Sequence, residues 1–461
     1  MKRNTTFALI ATMTLSANIS NARETVISTE ISSGIDYSDR TYDDAGGQDG
    51  GAFPTRDDER SNFVISPTIN IFTESTSDSA LLSYKPYFNY DLIESESGDI
   101  NQEASAGFHK ILTENWDLKL YNFFKNTDEY ETNRPVEDSI SDDYVEELLS
   151  SISSMNDTLQ DESGTRRYSR NEFNIATGYN YQKGSRFSLG YGWDHLEYDE
   201  DDTASGTYED YNKYNVSIAV SHELSELWTV KGYSQYLRGI YETDDDSDND
   251  LDEYHLGAEL ESRIIPSHPL LLSYDFSETN YDDDTIGISR IHKLTLGYQP
   301  ISLPALDVRL GAGPTYTDFN GSDNSWDANG NLNIVYRIGQ GSIQFTSDLG
   351  TQFDNFSGTT ERALTDYWRS RAEYNYPLSS SWQTSIYGGY SDEIRNEVES
   401  GSEIDVKKLS GGGVLKYCIS DNYDVGLNYD YTVQDSDYVE DSYDEHSVIL
   451  KFTFKTNLLS W

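Results

Sequence analysis

The sequence predicts an all-β fold: a transmembrane antiparallel up-and-down β-barrel of about 18–20 strands, with short periplasmic turns and long acidic outer loops. Three observations carry that prediction. Apolar residues recur at every second position through many stretches, the mark of strands with one apolar face. Those stretches reach 10 or more residues, enough for a tilted strand to cross a bilayer, which takes about 9–11. Short and long connections alternate from one end of the chain to the other.

Composition narrows the choice. The 461 residues carry 33 Lys and Arg against 81 Asp and Glu, a formal net charge of -48. With 36% hydrophobic residues alone the chain would suit disorder, but aromatics reach 13%, and disordered chains are poor in them. Nucleic acid is not an expected partner, because such binding rests on neutralising phosphates with Lys and Arg. No run of 18 apolar residues exists, so no helical membrane span is predicted. Cys418 is the single cysteine, which excludes an internal disulfide and a cysteine-built metal site.

The chain opens with Met1-Lys2-Arg3, an apolar stretch from Phe7 to Ala17, and small residues at Ser20 and Ala22. That order is expected for a secretory signal peptide over 1–22, cleaved after Ala22 and leaving 23–461 as the barrel. Removal takes Lys2 and Arg3 and no acid, so the mature chain is more acidic still.

The strands then follow in order. Phe63, Ile65, Ile69 and Ile71 share one face, as do Leu82, Tyr84, Phe88 and Tyr90. Trp116, Leu118, Leu120 and Phe124 make the next row, and Phe187, Leu189, Tyr191 and Trp193 another. Later rows are Leu332 to Ile338, Tyr423 to Tyr431, and Val448 to Phe454. Short turns fall near 73–79, 112–115, 182–186, 222–226, 264–269, 300–304, 338–342, 378–381 and 420–423. Acidic loops fall near 40–58, 94–101, 128–165, 199–207, 242–251, 278–285, 319–326, 355–361, 396–405 and 435–445. Nine turns and ten loops join 20 strands, with both chain ends on the short-turn side. Bacterial outer-membrane barrels have this layout. The expected location is therefore the bacterial outer membrane, in contact with its lipid and lipopolysaccharide. The chain ends in an amphipathic strand and an aromatic, Trp461, the kind of ending that the barrel-assembly machinery recognises. Trp461 is out of phase with Phe452 and Phe454, so either a bulge intervenes or the last residues run past the strand.

Bases recur inside the strands, out of phase with the apolar rows: Lys85, Lys119, Lys125, Arg186, Lys231, Lys293, Arg309, Arg337, Arg369, Arg371, Lys416 and Lys451. A charge on the lipid face costs about 2–4 kcal/mol at the midplane, so these side chains are expected in the lumen. There they either form a basic track for anionic solutes or pair with lumen acids such as Glu373 and Asp430 and hold the wall together. Tyr121, Tyr233 and Tyr387 are interleaved with them as surfaces for stacking sugars.

Other segments carry weaker signals. Asp244, Asp246 and Asp248 alternate in an acidic loop and invite a divalent cation such as calcium, but the loop lacks the glycine and final glutamate of an EF-hand. A solvated outer loop is the plainer reading, and no other cofactor is expected. Val145, Leu148, Leu149 and Ile152 recur at helical spacing within the 128–165 loop, which would either plug the lumen or lie on its rim. No catalytic motif stands out among the scattered histidines. Asp194-His195 is the one adjacent Asp/His pair, and no enzymatic role is expected of it.

The segment from Thr365 to Asp392 (TDYWRSRAEYNYPLSSSWQTSIYGGYSD) resembles a hairpin of the β-barrel porin type. A strand ending Tyr374-Asn375-Tyr376 meets a Pro/Leu/Ser turn, and Trp382 restarts the next strand; the 172–193 and 214–236 hairpins echo it. The resemblance implies a barrel of the kind associated with exopolysaccharide in marine gamma-proteobacteria. It implies a pore passing saccharides, anionic ones by the basic residues, as part of exopolysaccharide production or export. The alternatives are a nutrient porin for oligosaccharide uptake and a non-transport barrel presenting loops for adhesion or assembly.

Overall fold

The computed structural model describes residues 24–42, 58–93, 97–127, 167–198, 210–242, 250–265, 268–282, 287–300, 305–318, 324–356, 362–397, 402–437 and 442–460. They form twenty strands: β1 (Glu24–Tyr42), β2 (Asp58–Glu74), β3 (Asp78–Asp91), β4 (Ser97–Thr113), β5 (Trp116–Thr127), β6 (Tyr168–Gln182), β7 (Ser185–Tyr198), β8 (Asp210–Ser225), β9 (Trp228–Glu242) and β10 (Leu251–Ser262). The second half continues with β11 (Leu270–Tyr281), β12 (Ile288–Tyr298), β13 (Leu306–Asp318), β14 (Ser325–Ile338), β15 (Gly341–Asp354), β16 (Ala363–Pro377), β17 (Trp382–Glu397), β18 (Glu403–Ser420), β19 (Tyr423–Ser436) and β20 (Tyr443–Ser460). Each strand pairs antiparallel with its sequence neighbours, and β1 pairs with both β2 and β20, so the sheet closes. Closure leaves no edge with unpaired backbone groups, the condition for a β-structure to sit in lipid. The turn between β8 and β9 lies at 226–227, slightly later than the apolar pattern placed it.

Outside, the wall is apolar. Ile31, Ile35, Phe187, Leu189, Leu450 and Phe452 stand between 41% and 48% exposed. Aromatics bound this surface at two levels. Trp228 and Tyr236 lie eight positions apart on one face of β9, and Trp382 and Tyr390 do the same on β17. Eight residues extend about 27 Å along a strand, or about 20 Å along the barrel axis at a tilt near 40°. That separation fits the apolar band of an outer-membrane barrel, about 25 Å tall between aromatic girdles.

One bulge settles the phase at the chain's end. Ser28 pairs with Asn457 and Ile27 with Leu459, which leaves Leu458 as an extra residue. Beyond it the alternation of β20 reverses. Trp461 itself lies outside the described residues.

The wall also has a corner. In the β12–β13 ladder, Leu294, Thr295, Gly313 and Pro314 have no partners. Pro314 has no N–H to offer a ladder. Gly313 lies so close to β12 that a Cβ there would sit 1.7 Å from the Leu294 carbonyl oxygen. Asn329 on β14 fastens the corner. Its Oδ1 accepts from Thr295 Oγ1 at 2.6 Å, and its Nδ2 donates to the Pro314 carbonyl at 2.9 Å and to Thr315 Oγ1 at 3.1 Å. One side chain thereby ties three strands.

Candidate functional site

The outer ends of β6 to β11 carry inward-facing aromatics. Tyr168, Tyr198, Tyr211, Tyr241 and Tyr281, with Leu196 and Leu251, form a buried ledge just inside the mouth. Strand alternation puts them on the lumen side, because they are out of phase with the apolar outer rows of their strands, such as Val216, Ile218 and Val220 on β8 and Leu270, Leu272 and Tyr274 on β11. The segment following β15 sits on this ledge. Phe356 packs against Tyr211 edge-on at 5.6 Å and against Tyr241 nearly parallel at 6.0 Å. The Lys213 ammonium lies 4.2 Å from the Phe356 ring centre. The ring rests on Gly239, where a Cβ would come within 2.8 Å of it.

Asn355 is bound on every side. Its Oδ1 accepts from the Tyr281 hydroxyl at 2.6 Å, and its backbone carbonyl accepts from the Tyr241 hydroxyl. Its Nδ2 donates to Glu253, whose second oxygen lies 3.0 Å from His255 Nε2. Arg362, entering β16, covers the Tyr241 ring at 4.2 Å. Beneath the ledge, Arg170 holds Asp194 at 2.9 Å with both side chains at most 3% exposed, and the Tyr211 hydroxyl donates to the same carboxylate at 3.2 Å. A buried ion pair needs such extra hydrogen bonds to offset its desolvation. Here they fix the orientation of Tyr211.

These contacts show that the barrel is not circular at this level. Twenty strands about 4.8 Å apart and tilted near 40° would make a circle about 40 Å across. On that circle the quarter-turn from β15 to β10 would be a chord of about 28 Å. Yet Asn355, one residue past β15, reaches Glu253 on β10 directly. The corner at Gly313 and Asn329 lies on the arc between these two contacting ends, and there Lys293 of β12 comes close to Gly350 of β15.

The register puts all twelve strand bases named from the sequence on the face opposite the apolar rows. Carboxylates accompany at least six of them among the described residues. Arg186 meets Asp117 at 2.7 Å, Lys231 meets Glu259 at 2.7 Å, and Arg369 meets Glu393 at 2.9 Å. Arg371 meets Glu373 at 3.3 Å, Lys416 meets Asp424 at 3.5 Å, and Arg309 meets Asp307 only at 4.0 Å. Lys85 and Lys125 lie over the rings of Tyr87 and Tyr168 at 4.7 and 5.7 Å. Lys119 and Lys451 pair in register with His109 and Gly34. Lys293 reaches Gly350, three strands away across the corner. Arg337, at the inner end of β14, forms no ion pair among the described residues. Of the interleaved tyrosines, Tyr387 lies under Arg371 at 4.4 Å, and Tyr233 donates to Asp275 at 2.8 Å.

Asp194 and His195 are separated by the wall. Asp194 faces inward to Arg170, while His195 stacks on Trp193 at 5.8 Å on the outer face. Adjacent residues of a strand point to opposite faces, so this pair cannot act on one substrate. Asp244, Asp246, Asp248 and the 128–165 loop lie outside the described residues. Among the described residues, no three His, Cys, Asp or Glu side chains are gathered to hold a metal ion.

Sequence reasoning missed the seated segment. Its single signal is Phe356, an apolar residue in an otherwise polar connection after Asp354.

A closed barrel, apolar outside between two aromatic bands and lined with polar groups inside, defines an outer-membrane β-barrel protein. No family model matches the sequence, and no curated protein does. Among solved structures, the siderophore receptor PirA of Pseudomonas aeruginosa aligns with a TM-score of 0.48 at 10% identity, over 94% of this chain and 80% of that one. OpdL of the same organism aligns with a TM-score of 0.42 at 10% identity, over 94% and 99%. OccAB4 of Acinetobacter baumannii aligns with a TM-score of 0.41 at 10% identity, over 94% and 98%. At that identity the likeness concerns the fold alone.

Proposed function

We propose that the barrel is a pore for saccharide-class solutes rather than an enzyme. The observation that carries this reading is the lumen itself: a polar wall interleaved with Tyr121, Tyr233 and Tyr387 and narrowed at its outer mouth by Asn355 and Phe356. Hydroxyl-rich solutes exchange hydrogen bonds with such a wall and stack on its rings. Because Arg186, Lys231, Arg369, Arg371 and Lys416 each face a carboxylate, these five bases present paired charge. A preference for anionic solutes then rests on Arg309, 58% exposed, and Arg337, both toward the inner end. The hairpin resemblance over 365–392 supports exopolysaccharide production or export as the setting.

The test is reconstitution of the purified protein in planar bilayers, with neutral and anionic oligosaccharides added to either side. Discrete conductance steps, interrupted by sugar and more often by the anionic sugar, are expected. Absence of conductance in well-inserted protein would overturn the pore; equal interruption by both sugars would remove the anionic preference.

A further inference from the structure

The ledge holding Asn355 and Phe356 is a built recognition site whose present occupant belongs to the chain itself. What it recognises can be read from that occupant. It takes one amide, with its oxygen accepting from the Tyr281 hydroxyl and its nitrogen donating to Glu253, and one further carbonyl oxygen that accepts from Tyr241. Beside the amide it takes one flat apolar ring, stacked at 15° to Tyr241 and capped by a lysine. All the receiving side chains come from the wall: Tyr211 and Lys213 from β8, Tyr241 from β9, Glu253 from β10 and Tyr281 from β11. Two of them, Tyr211 and Glu253, are held independently of the occupant. Asp194 fixes Tyr211 from below, and His255, itself 3.0 Å from Ser277, bears on Glu253.

An N-acetylated amino sugar presents the same pair of features. Its acetamido group carries a carbonyl acceptor and an N–H donor, as the asparagine amide does. The C–H face of its pyranose ring stacks on tyrosine as the Phe356 ring does. Its hydroxyls would meet the Lys213 ammonium where the occupant offers only a ring face. A plain glucan has the ring face but no acetamido group; its hydroxyls can bond Tyr281 or Glu253 singly, but none offers an acceptor and a donor on one planar group as the Asn355 amide does. Buried polar groups left unmatched cost about 1–3 kcal/mol each. We propose that the Tyr211–Tyr241–Tyr281 ledge, with Glu253 and Lys213, is a binding subsite for N-acetylated saccharide units, and that Asn355 and Phe356 occupy it as an internal competitor. The subsite deepens the pore reading and rests on it for its role in passage, but not for its chemistry.

The experiment separates the two. Full-length protein in detergent micelles is titrated calorimetrically with chitotriose, an N-acetylated trisaccharide, and with maltotriose, which lacks the acetamido group. In the Asn355→Gly/Phe356→Ala variant, chitotriose affinity should rise at least tenfold over the native chain, with no such gain for maltotriose. Adding Tyr281→Phe, which removes only the donor to the amide oxygen, should reverse most of that gain while the heat-dependent shift in gel migration shows the barrel intact. Equal gains for both sugars, or none for either in a folded variant, would overturn the subsite. In planar bilayers the same variant should conduct more than the native chain. If neither conducts, the pore reading fails while the calorimetric result stands by itself.

Discussion

Adding one methyl group at Gly313 should unmake the corner of the barrel. The new Cβ would lie 1.7 Å from the Leu294 carbonyl oxygen and 2.8 Å from its carbon. Both are backbone atoms, so no side chain can swing aside. Ordinary contact begins at 3.4 Å, so β12 and β13 must separate by about 1.7 Å at this point. Overpacking of this kind costs about 1–3 kcal/mol. The displacement should also reach the mouth, because the corner lies on the arc between β11 and β15, whose outer ends meet through Asn355 and Phe356. The Tyr281–Asn355 bond, now 2.6 Å, should lengthen toward the point, about 3.6 Å, at which a hydrogen bond is gone. Gly313→Ala should therefore lower the urea midpoint of unfolding in micelles and raise single-channel conductance together. Gly107→Ala is the control, since a Cβ there meets nothing within 4 Å. If Gly313→Ala matches Gly107→Ala in both measurements, the corner does not set the shape of the mouth.

Asn329→Ala removes three short side-chain hydrogen bonds from the same corner, and a long one of 3.5 Å to the Leu294 carbonyl. At about 1 kcal/mol each, it should cost about 3 kcal/mol by the same unfolding assay. The closed ladder from β1 to β20 should let the folded protein migrate anomalously in SDS until heated; identical migration before and after boiling would count against closure. Arg309→Gln with Arg337→Gln should shift the reversal potential toward cations without a loss of stability. Arg369→Gln should destabilise as well, because it takes a partner from Glu393, which is only 13% exposed. Asp282, just past the end of β11, is held below the usual carboxylate range, chiefly by its hydrogen bond from Arg238. Its contribution to stability is therefore present at neutral pH and lost as pH falls below about 4 toward the lowered value. The effect should be small, since the pair is partly exposed and screened. Asp282→Asn should remove that acid-dependent component from the heat-migration midpoint.

Much of the architecture is legible in the sequence because a strand's two faces are written at a period of two. Twenty strands and the lumen side of Lys85 or Arg371 follow from alternation alone. The extra residue at Leu458 leaves a trace, the phase slip of Trp461, which alternation detects without locating. The corner is harder to read. Gly311-Ala312-Gly313-Pro314 places a proline in mid-strand, a sign of interrupted pairing, but nothing local says that Asn329 will tie three strands there. The seat of Phe356 leaves no sequence trace beyond the apolar residue itself, since it depends on the segment after β15 meeting β9–β11, a matter of the whole wall's curvature. Ion pairing is intermediate. Alternation puts Arg186 and Asp117 on one face, and only the register decides that they meet.

Long side chains in this lumen lie down because glycines make room for them. Arg186 lies over Gly178 and Tyr233 over Gly257, where a Cβ would stand 1.9 and 2.0 Å from their atoms. The clear bore of the tube is thus governed by its smallest residues. Truncating Tyr233 would strip a surface from the wall and widen the passage little, whereas a methyl group on Gly257 would lift the ring into the path of the solute. In this barrel, calibre is written in glycine, and substitutions that look minor by volume are the ones that would close it.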